Sequence, residues 1–241
     1  MEMPPWVGQL FVAPVFAHLW FLAFLCWLMI AFALYAWVSQ KMGWSAAPRW
    51  LTLSPWGLCL WIALTCLPQA LMGIELAYFG PDTSVGLLPY PHVLAYYALF
   101  FFFGVFYFET KDSSFSLGHS WKWSLPLTLL ILFPFGISCS TGFFPALTAW
   151  IPESAHRTVS VVTQAAYAWL ASIGFMGLFH ALLKRENQKI RYLSDASYWL
   201  YLAHLPLVFI GQAWVRDWQA PALLKFSLVT VILTVVLLLS Y

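Results

Sequence analysis

From Val15 to Val38 the chain carries no Asp, Glu, Lys or Arg. A run of that length crosses the ~30 Å hydrocarbon core of a bilayer as a single helix. Six further apolar runs follow, over 50–72, 90–108, 123–144, 158–183, 195–215 and 221–240. None alternates apolar with polar residues as a barrel strand must. The pattern predicts an all-α, polytopic transmembrane bundle of about seven spans. Composition agrees: 62% of the 241 residues are apolar, 20% are aromatic and 8% are charged, against ~25% charged in a soluble domain. So few charges cannot cover a water-soluble body of this size, which excludes a soluble enzyme, a secreted scaffold and a disordered tail. A net charge of +2 gives no reason to expect a nucleic-acid partner. The four cysteines, Cys26, Cys59, Cys66 and Cys139, form no CxxC pair and read as small hydrophobes, not as disulfides or a metal site.

Cytoplasmic loops retain an excess of Lys and Arg. Loops after odd-numbered spans hold Lys41, Arg49, Lys111, Lys122, Lys184, Arg185, Lys189 and Arg191, whereas the other side holds Arg157, Arg216 and Lys225. The asymmetry predicts an outer N-terminus and a cytoplasmic C-terminus. Trp37, Trp44, Trp50, Trp121, Trp123, Trp214 and Trp218 fall near the expected interfaces, where amphipathic rings are favoured. The first fourteen residues have neither a basic n-region nor an A-x-A-like site, so they do not read as a signal peptide. The abrupt start and end are expected for a chain cut at both ends, and no repeat or linker divides it.

Polar groups at membrane depth carry the functional expectation. In the sixth span Ser194, Ser197, Tyr201 and His204 recur at helical spacing and form one stripe. Pro206 removes the amide that would meet the Leu202 carbonyl, one turn from the imidazole, a position for a kink or a ligand contact. His204 reads either as a packing histidine bonded to a neighbouring helix or as a catalytic group, with Ser197 and Tyr201 as substrate-binding neighbours. Thr163, Tyr167, Gly174 and Gly177 give the fifth span a small or polar face suited to close packing. His180 is expected in the headgroup region. In the second span Thr65, Gln69 and Glu75 lead outward past a kink at Pro68, with Glu75 interfacial and solvated. His18, at the mouth of the first span, is a second catalytic candidate. His92, His156, Arg157, Asp82, Glu153 and Asp217 are expected in outer loops, where a solvated role is the plainer reading. At the inner face, KRENQKIRYLSD clusters four cations. That cluster orients helices and attracts anionic lipid, or else Lys184, Arg185 and Arg191 dock the phosphates of an acyl-CoA-type donor.

The segment YLSDASYWLYLAHLPLV resembles the penultimate-helix signature of the membrane acyltransferase 3 family, in particular its branch that succinylates periplasmic glucans. His18 to Leu22 (HLWFL) is similar to a helix start of that family, and Tyr97 to Gly104 (YALFFFFG) to its aromatic-rich span ending in glycine. The resemblance implies a bacterial inner-membrane protein of about ten spans. Such a protein transfers an acyl group from a cytoplasmic thioester to a carbohydrate or other hydroxyl acceptor, with no bound cofactor. It implies that residues 1–241 are a single domain corresponding to spans four to ten, without the first helix, which supplies the family's arginine and proposed catalytic histidine, and without the basic motif of the early cytoplasmic loop. Those roles do not pass to His18 or Arg157 by residue type. The missing helices put the activity of the chain alone in question and make an N-terminal partner fragment an expected partner. Two other classes stay open: a transporter or flippase, and a non-catalytic membrane subunit.

Overall fold

The computed structural model describes residues 10–11, 13, 15–44, 46–74, 78–183 and 187–241. Every regular element among them is helical, and the chain divides into two compact units, Met1–Leu182 and Leu183–Tyr241.

Unit 1 contains five long helices: α1 (Trp20–Met42), α2 (Pro55–Gln69), α3 (Pro91–Glu109), α4 (Trp121–Thr141) and α5 (Glu153–Leu182). α1 ends at Gly43, whose φ of +64° closes the last turn in the left-handed region that glycine accepts without strain. α2 starts late because Ser54 and Pro55 break the second apolar run. The Ser54 hydroxyl accepts from the Gly57 amide at 3.0 Å, and Pro55 takes a position where its missing N–H costs nothing. Only a four-residue helix, Trp50–Leu53, precedes the break. α4 is a single rod by length, but between Pro126 and Pro134 it widens into a π-helical stretch, Leu127–Leu132. A π-turn there accommodates carbonyls that the prolines leave without amide donors.

α5 is the central element, packed against α2, both halves of α4 and the 3₁₀ turn Ser116–Gly118. Its Trp169 is 1% exposed, donates Nε1–H to Thr65 Oγ1 at 2.8 Å, and stacks on Phe100 with ring centroids 4.3 Å apart. In lipid such fits are worth their dispersion contacts and buried hydrogen bonds, since apolar burial alone gives little advantage over lipid tails. The small face of α5 serves packing as expected. A Cβ on Gly177 would lie 2.2 Å from the Gly118 carbonyl oxygen, and one on Gly174 would press on Ser124 and Leu125. His180 lies flat on Phe115 at 4.2 Å between centroids.

The two ends of unit 1 differ in charge. Where α1 and α3 end and α2 and α4 begin, the Ala47 amide meets Glu109 at 3.3 Å, and Lys41, Arg49, Lys111 and Lys122 gather. At the opposite end Arg157 is the single Lys or Arg among the described residues of the unit.

Unit 2 is a hairpin of α6 (Gln188–Val215) and α7 (Ala222–Leu239). Asn187 caps α6 through the Lys189 amide at 2.9 Å, and Trp199 Nε1 on α6 donates to Ser240 Oγ, just past the end of α7, at 3.0 Å.

Among the described residues, five helices are long and apolar enough to cross a membrane by length and composition: Ala17–Met42, Pro91–Glu109, Trp121–Thr141, Glu153–Leu182 and Ala222–Leu239. The remaining two of the seven expected spans fall short for different reasons. α2 has 15 residues, roughly 22 Å at the usual helical rise. α6 is long, but Ser, Tyr, His and Gln dilute its apolar stretch. Two boundaries also move. α5 begins at Glu153, so Glu153, His156 and Arg157 stand on its first turns and not in a loop, and His92 belongs to the first turn of α3.

Candidate functional site

At the cation-poor end of unit 1, α2 stops at Gln69, its last carbonyls are met by the amides of Ala70, Leu71 and Met72, and α5 ties down the turn that follows. Arg157 donates to the carbonyls of Ala70 at 2.9 Å and Gly73 at 3.3 Å, and to that of Met72. A cation is favoured there because the helix dipole concentrates negative potential at that end. Asp82 then ties the following loop: its Oδ1 accepts from the Gly73 amide at 3.0 Å and from the Tyr78 hydroxyl. Burial, and after it the Asp82 carboxylate, push the Tyr78 phenol well above the ordinary tyrosine range. Tyr78 is therefore a neutral donor at physiological pH.

This loop carries Gly80 to α5, where its amide donates to Gln164 Oε1 at 2.8 Å. The same oxygen accepts from Gln69 Nε2 at 3.1 Å. Gln164 Nε2 donates to Ser160 Oγ at 2.9 Å and Ser140 Oγ at 3.2 Å, and the Ser140 hydroxyl donates to the Gly136 carbonyl at 2.9 Å. Gln69 and Gln164 are 3% and 7% exposed. One network thus joins α2, α4, α5 and the loop, as buried amides require.

Two cavities share Gln69, Gly80 and Gln164 as a common wall. The larger, about 410 Å³, is also lined by Tyr78, Ser140, Glu153, His156 and Arg157. The smaller, about 280 Å³, is bounded by Phe79, Tyr96, Phe133 and Tyr167, of which Phe79 and Tyr167 meet edge to face at 5.0 Å. Small-molecule sites occupy ~300–1,000 Å³ and combine apolar walls with a few placed polar groups. His156 Nε2 lies 3.2 Å from the Ile151 carbonyl. A carbonyl accepts, so Nε2 carries the proton and the lone pair of the neutral ring is on Nδ1.

Unit 2 has a cleft of another kind, a groove of about 910 Å³ between α6 and α7, mostly apolar, into which Tyr201 and His204 turn. The His204 Nδ1 is 2.8 Å from the Tyr201 carbonyl and 3.1 Å from that of Leu200, which puts the proton on Nδ1 and the neutral ring's lone pair on Nε2.

The chain as a whole matches the sequence model of one family, an acyltransferase domain, over residues 1–241. This chain belongs to the acyltransferase 3 family. No curated protein and no solved structure matches it. With its apolar helices, family membership makes this acyltransferase 3 protein an integral membrane protein.

The residues singled out in this acyltransferase 3 sequence separate in the structure. Tyr201 and His204 share the groove of unit 2. Ser197 does not join them; it is exposed and donates to the Ser194 carbonyl at 2.6 Å. Arg191 is exposed and lies 4.0 Å from Asp195 in a pair one helical turn apart, an arrangement worth little. Lys184 and Arg185, like Glu75, lie outside the described residues. His18 sits in the 3₁₀ turn before α1, at the cavity end of unit 1, but does not line either cavity. Gln164 escaped sequence reading altogether, and Gln69 was read as part of an outward slope. The usable signal was a pair of primary amides inside apolar runs, which lipid does not tolerate unpaired.

Proposed function

We propose that the chain acts as a membrane O-acyltransferase, moving an acyl group from a cytoplasmic acyl-CoA-type thioester to a carbohydrate or other hydroxyl acceptor. The observation that carries this reading is the pair of adjoining cavities, one lined by polar groups and one by aromatic rings, at the end of unit 1 opposite its cations, in a chain of the acyltransferase 3 family. In this reading the chain crosses a bacterial inner membrane seven times, N-terminus outside and C-terminus cytoplasmic. The cation-rich end of unit 1 faces the cytoplasm and its cavities face the acceptor, while the role of Lys184, Arg185 and Arg191 is to dock the donor's phosphates. Membrane lipid surrounds the bundle, and glucans are the acceptor to which the sixth-span resemblance points.

The chemistry needs a base and an ordered approach. A histidine takes the proton of the acceptor hydroxyl; the oxygen attacks the thioester carbonyl; the C–S bond breaks, and the thiolate leaves and takes up a proton. His204 is the leading candidate for that base, with Tyr201 beside it in the groove of unit 2, and His18 is the second. Bases of this kind contribute ~10²–10⁴-fold.

The test is transfer from a radiolabelled acyl thioester to carbohydrate in vesicles carrying the chain, alone and together with a three-span N-terminal fragment of the family. Ester formation in either arm supports the reading. Solute flux without ester in both arms replaces it with transport.

A further inference from the structure

We propose that the Gln69 amide is a specificity-determining group that selects a neutral, hydroxyl-rich ligand in the cavities it lines and disfavours an anionic one. The argument begins with the one donor in the network that cannot rotate, the Gly80 amide. It points at Gln164, so that side chain must present Oε1 there. Its Nε2 then faces the two serines. Ser140 donates to Gly136, so Ser160 donates to Ser140 across 2.8 Å. Both lone pairs of Gln164 Oε1 and both of its amide hydrogens are used. Gln69 can meet that oxygen only with Nε2.

Gln69 is left with one N–H and its Oε1, and no donor among the described residues meets that oxygen, although the side chain is 3% exposed. The atom borders the cavities and is not sealed in protein. An adjacent N–H and C=O match a hydroxyl, which both accepts and donates. A phosphate or carboxylate oxygen only accepts, and would set its charge against the amide oxygen. The neighbouring charges are balanced: Arg157 spends three of its five N–H groups on carbonyls, and the carboxylate of Glu153 on the same wall offsets its positive charge. Phe79, Phe133 and Tyr167 offer flat apolar surface to the C–H face of a ring. A neutral sugar presents both kinds of surface.

The acyltransferase reading enters only in naming the ligand as the acceptor. Binding is therefore read without catalysis, through Cys139, which lines the larger cavity and is 8% exposed. In the full chain in nanodiscs, with Cys26, Cys59 and Cys66 replaced by alanine, the rate of Cys139 modification by methyl methanethiosulfonate is followed against two probes. One is a neutral glucose tetramer and the other is the same tetramer bearing a phosphate. The neutral tetramer is expected to slow modification. The phosphorylated one should need about tenfold more for the same effect, and Gln69→Met should raise the neutral half-saturation by about tenfold, the worth of one to two hydrogen bonds. Gln69→Met leaves Gln164 bonded to Gly80 and both serines, so its thermal midpoint should stay near that of the parent; the two-probe comparison needs no variant. Equal protection by both tetramers, an unchanged half-saturation in Gln69→Met, or no protection by either overturns the proposal. Protection without acyl transfer leaves this site standing and removes the enzyme reading, whereas transfer without protection does the reverse.

Discussion

The cavities of unit 1 and the groove of unit 2 solve opposite problems. The first are built around polar groups that several helices satisfy jointly: α2 gives Gln69, α4 gives Ser140, α5 gives Ser160 and Gln164, and the loop gives Gly80. The second is a mostly apolar cleft in which His204 bonds to carbonyls of its own helix. The same contrast holds in the packing. In unit 1 Gly177 faces backbone, the Gly118 carbonyl, whereas in unit 2 Gly211 faces the Val229 side chain, 3.0 Å from an added Cβ. Rigid mutual satisfaction suits recognition, where position discriminates between ligands. A group anchored within its own helix suits a reacting role, because it keeps its orientation whatever enters beside it.

The largest expected effect tests that division of labour. In a system that shows transfer, His204→Ala should lower kcat by roughly 100-fold or more with KM little changed, whereas Gln69→Met should raise KM and leave kcat close to the parent value. Steady-state kinetics on both variants checks this, and unchanged turnover in His204→Ala removes His204 from the reacting centre. Next is packing. Gly177→Ala should cost about 1–3 kcal/mol, because a carbonyl 2.2 Å away cannot rotate aside. Gly211→Ala should cost under about 1 kcal/mol, since a valine methyl can give way. Thermal unfolding in one detergent compares the two, and equal losses would erase the contrast between the units. Gln164→Leu should follow at about 1–3 kcal/mol, the cost of stranding the part-buried Gly80 amide and the buried Gln69 donor. Thr234→Val in the groove should change stability by less than ~0.5 kcal/mol, because its hydroxyl bonds only to the carbonyl of Thr230, one turn back.

The face of α6 that carries Tyr201 and His204 was legible in the sequence and the cavities were not, for a physical reason. Tyr201 and His204 lie three apart on one helix, and helical periodicity places them on one face without any knowledge of neighbours. The departure of Ser197 from them could not be foreseen, because a hydroxyl three residues from a helical carbonyl can fold back onto it. The cavity network joins residues as far apart as Gln69 and Gln164, and nothing local to either says that the loop after α2 returns Gly80 between them. The purpose of Arg157 is hidden for the same reason: charge asymmetry says which side it belongs to, but not that it meets the carbonyls of the turn after α2, more than eighty residues away. The apolar runs located the long helices well. They overstated α2, because Ser54 and Pro55 interrupt a run that composition alone reads as continuous.

The smallest expected effect separates polar satisfaction between helices from satisfaction inside one loop. At the cation-rich end, Asp112 accepts from the Ser114 and Ser116 hydroxyls at 2.8 and 2.9 Å and from the Leu117 amide at 3.3 Å. Burial pushes this carboxyl up, but those bonds, with one from the Ser116 amide, outweigh it and hold it at about 2. Its unfolded value is near 3.9. A carboxyl depressed in the folded state stabilises that state fully above the unfolded value, and the contribution is lost as pH falls from about 4 through about 2. Because the partners of Asp112 among the described residues all lie between 107 and 117, the loss should stay local. Hydrogen-exchange protection of the Leu117 amide should fall across that window while the Gly80 amide, held by an uncharged glutamine, keeps its protection. In Asp112→Asn the Leu117 dependence should flatten. A parallel loss at Gly80 would mean that the loop and the inter-helix network open together, and the distinction between them would go.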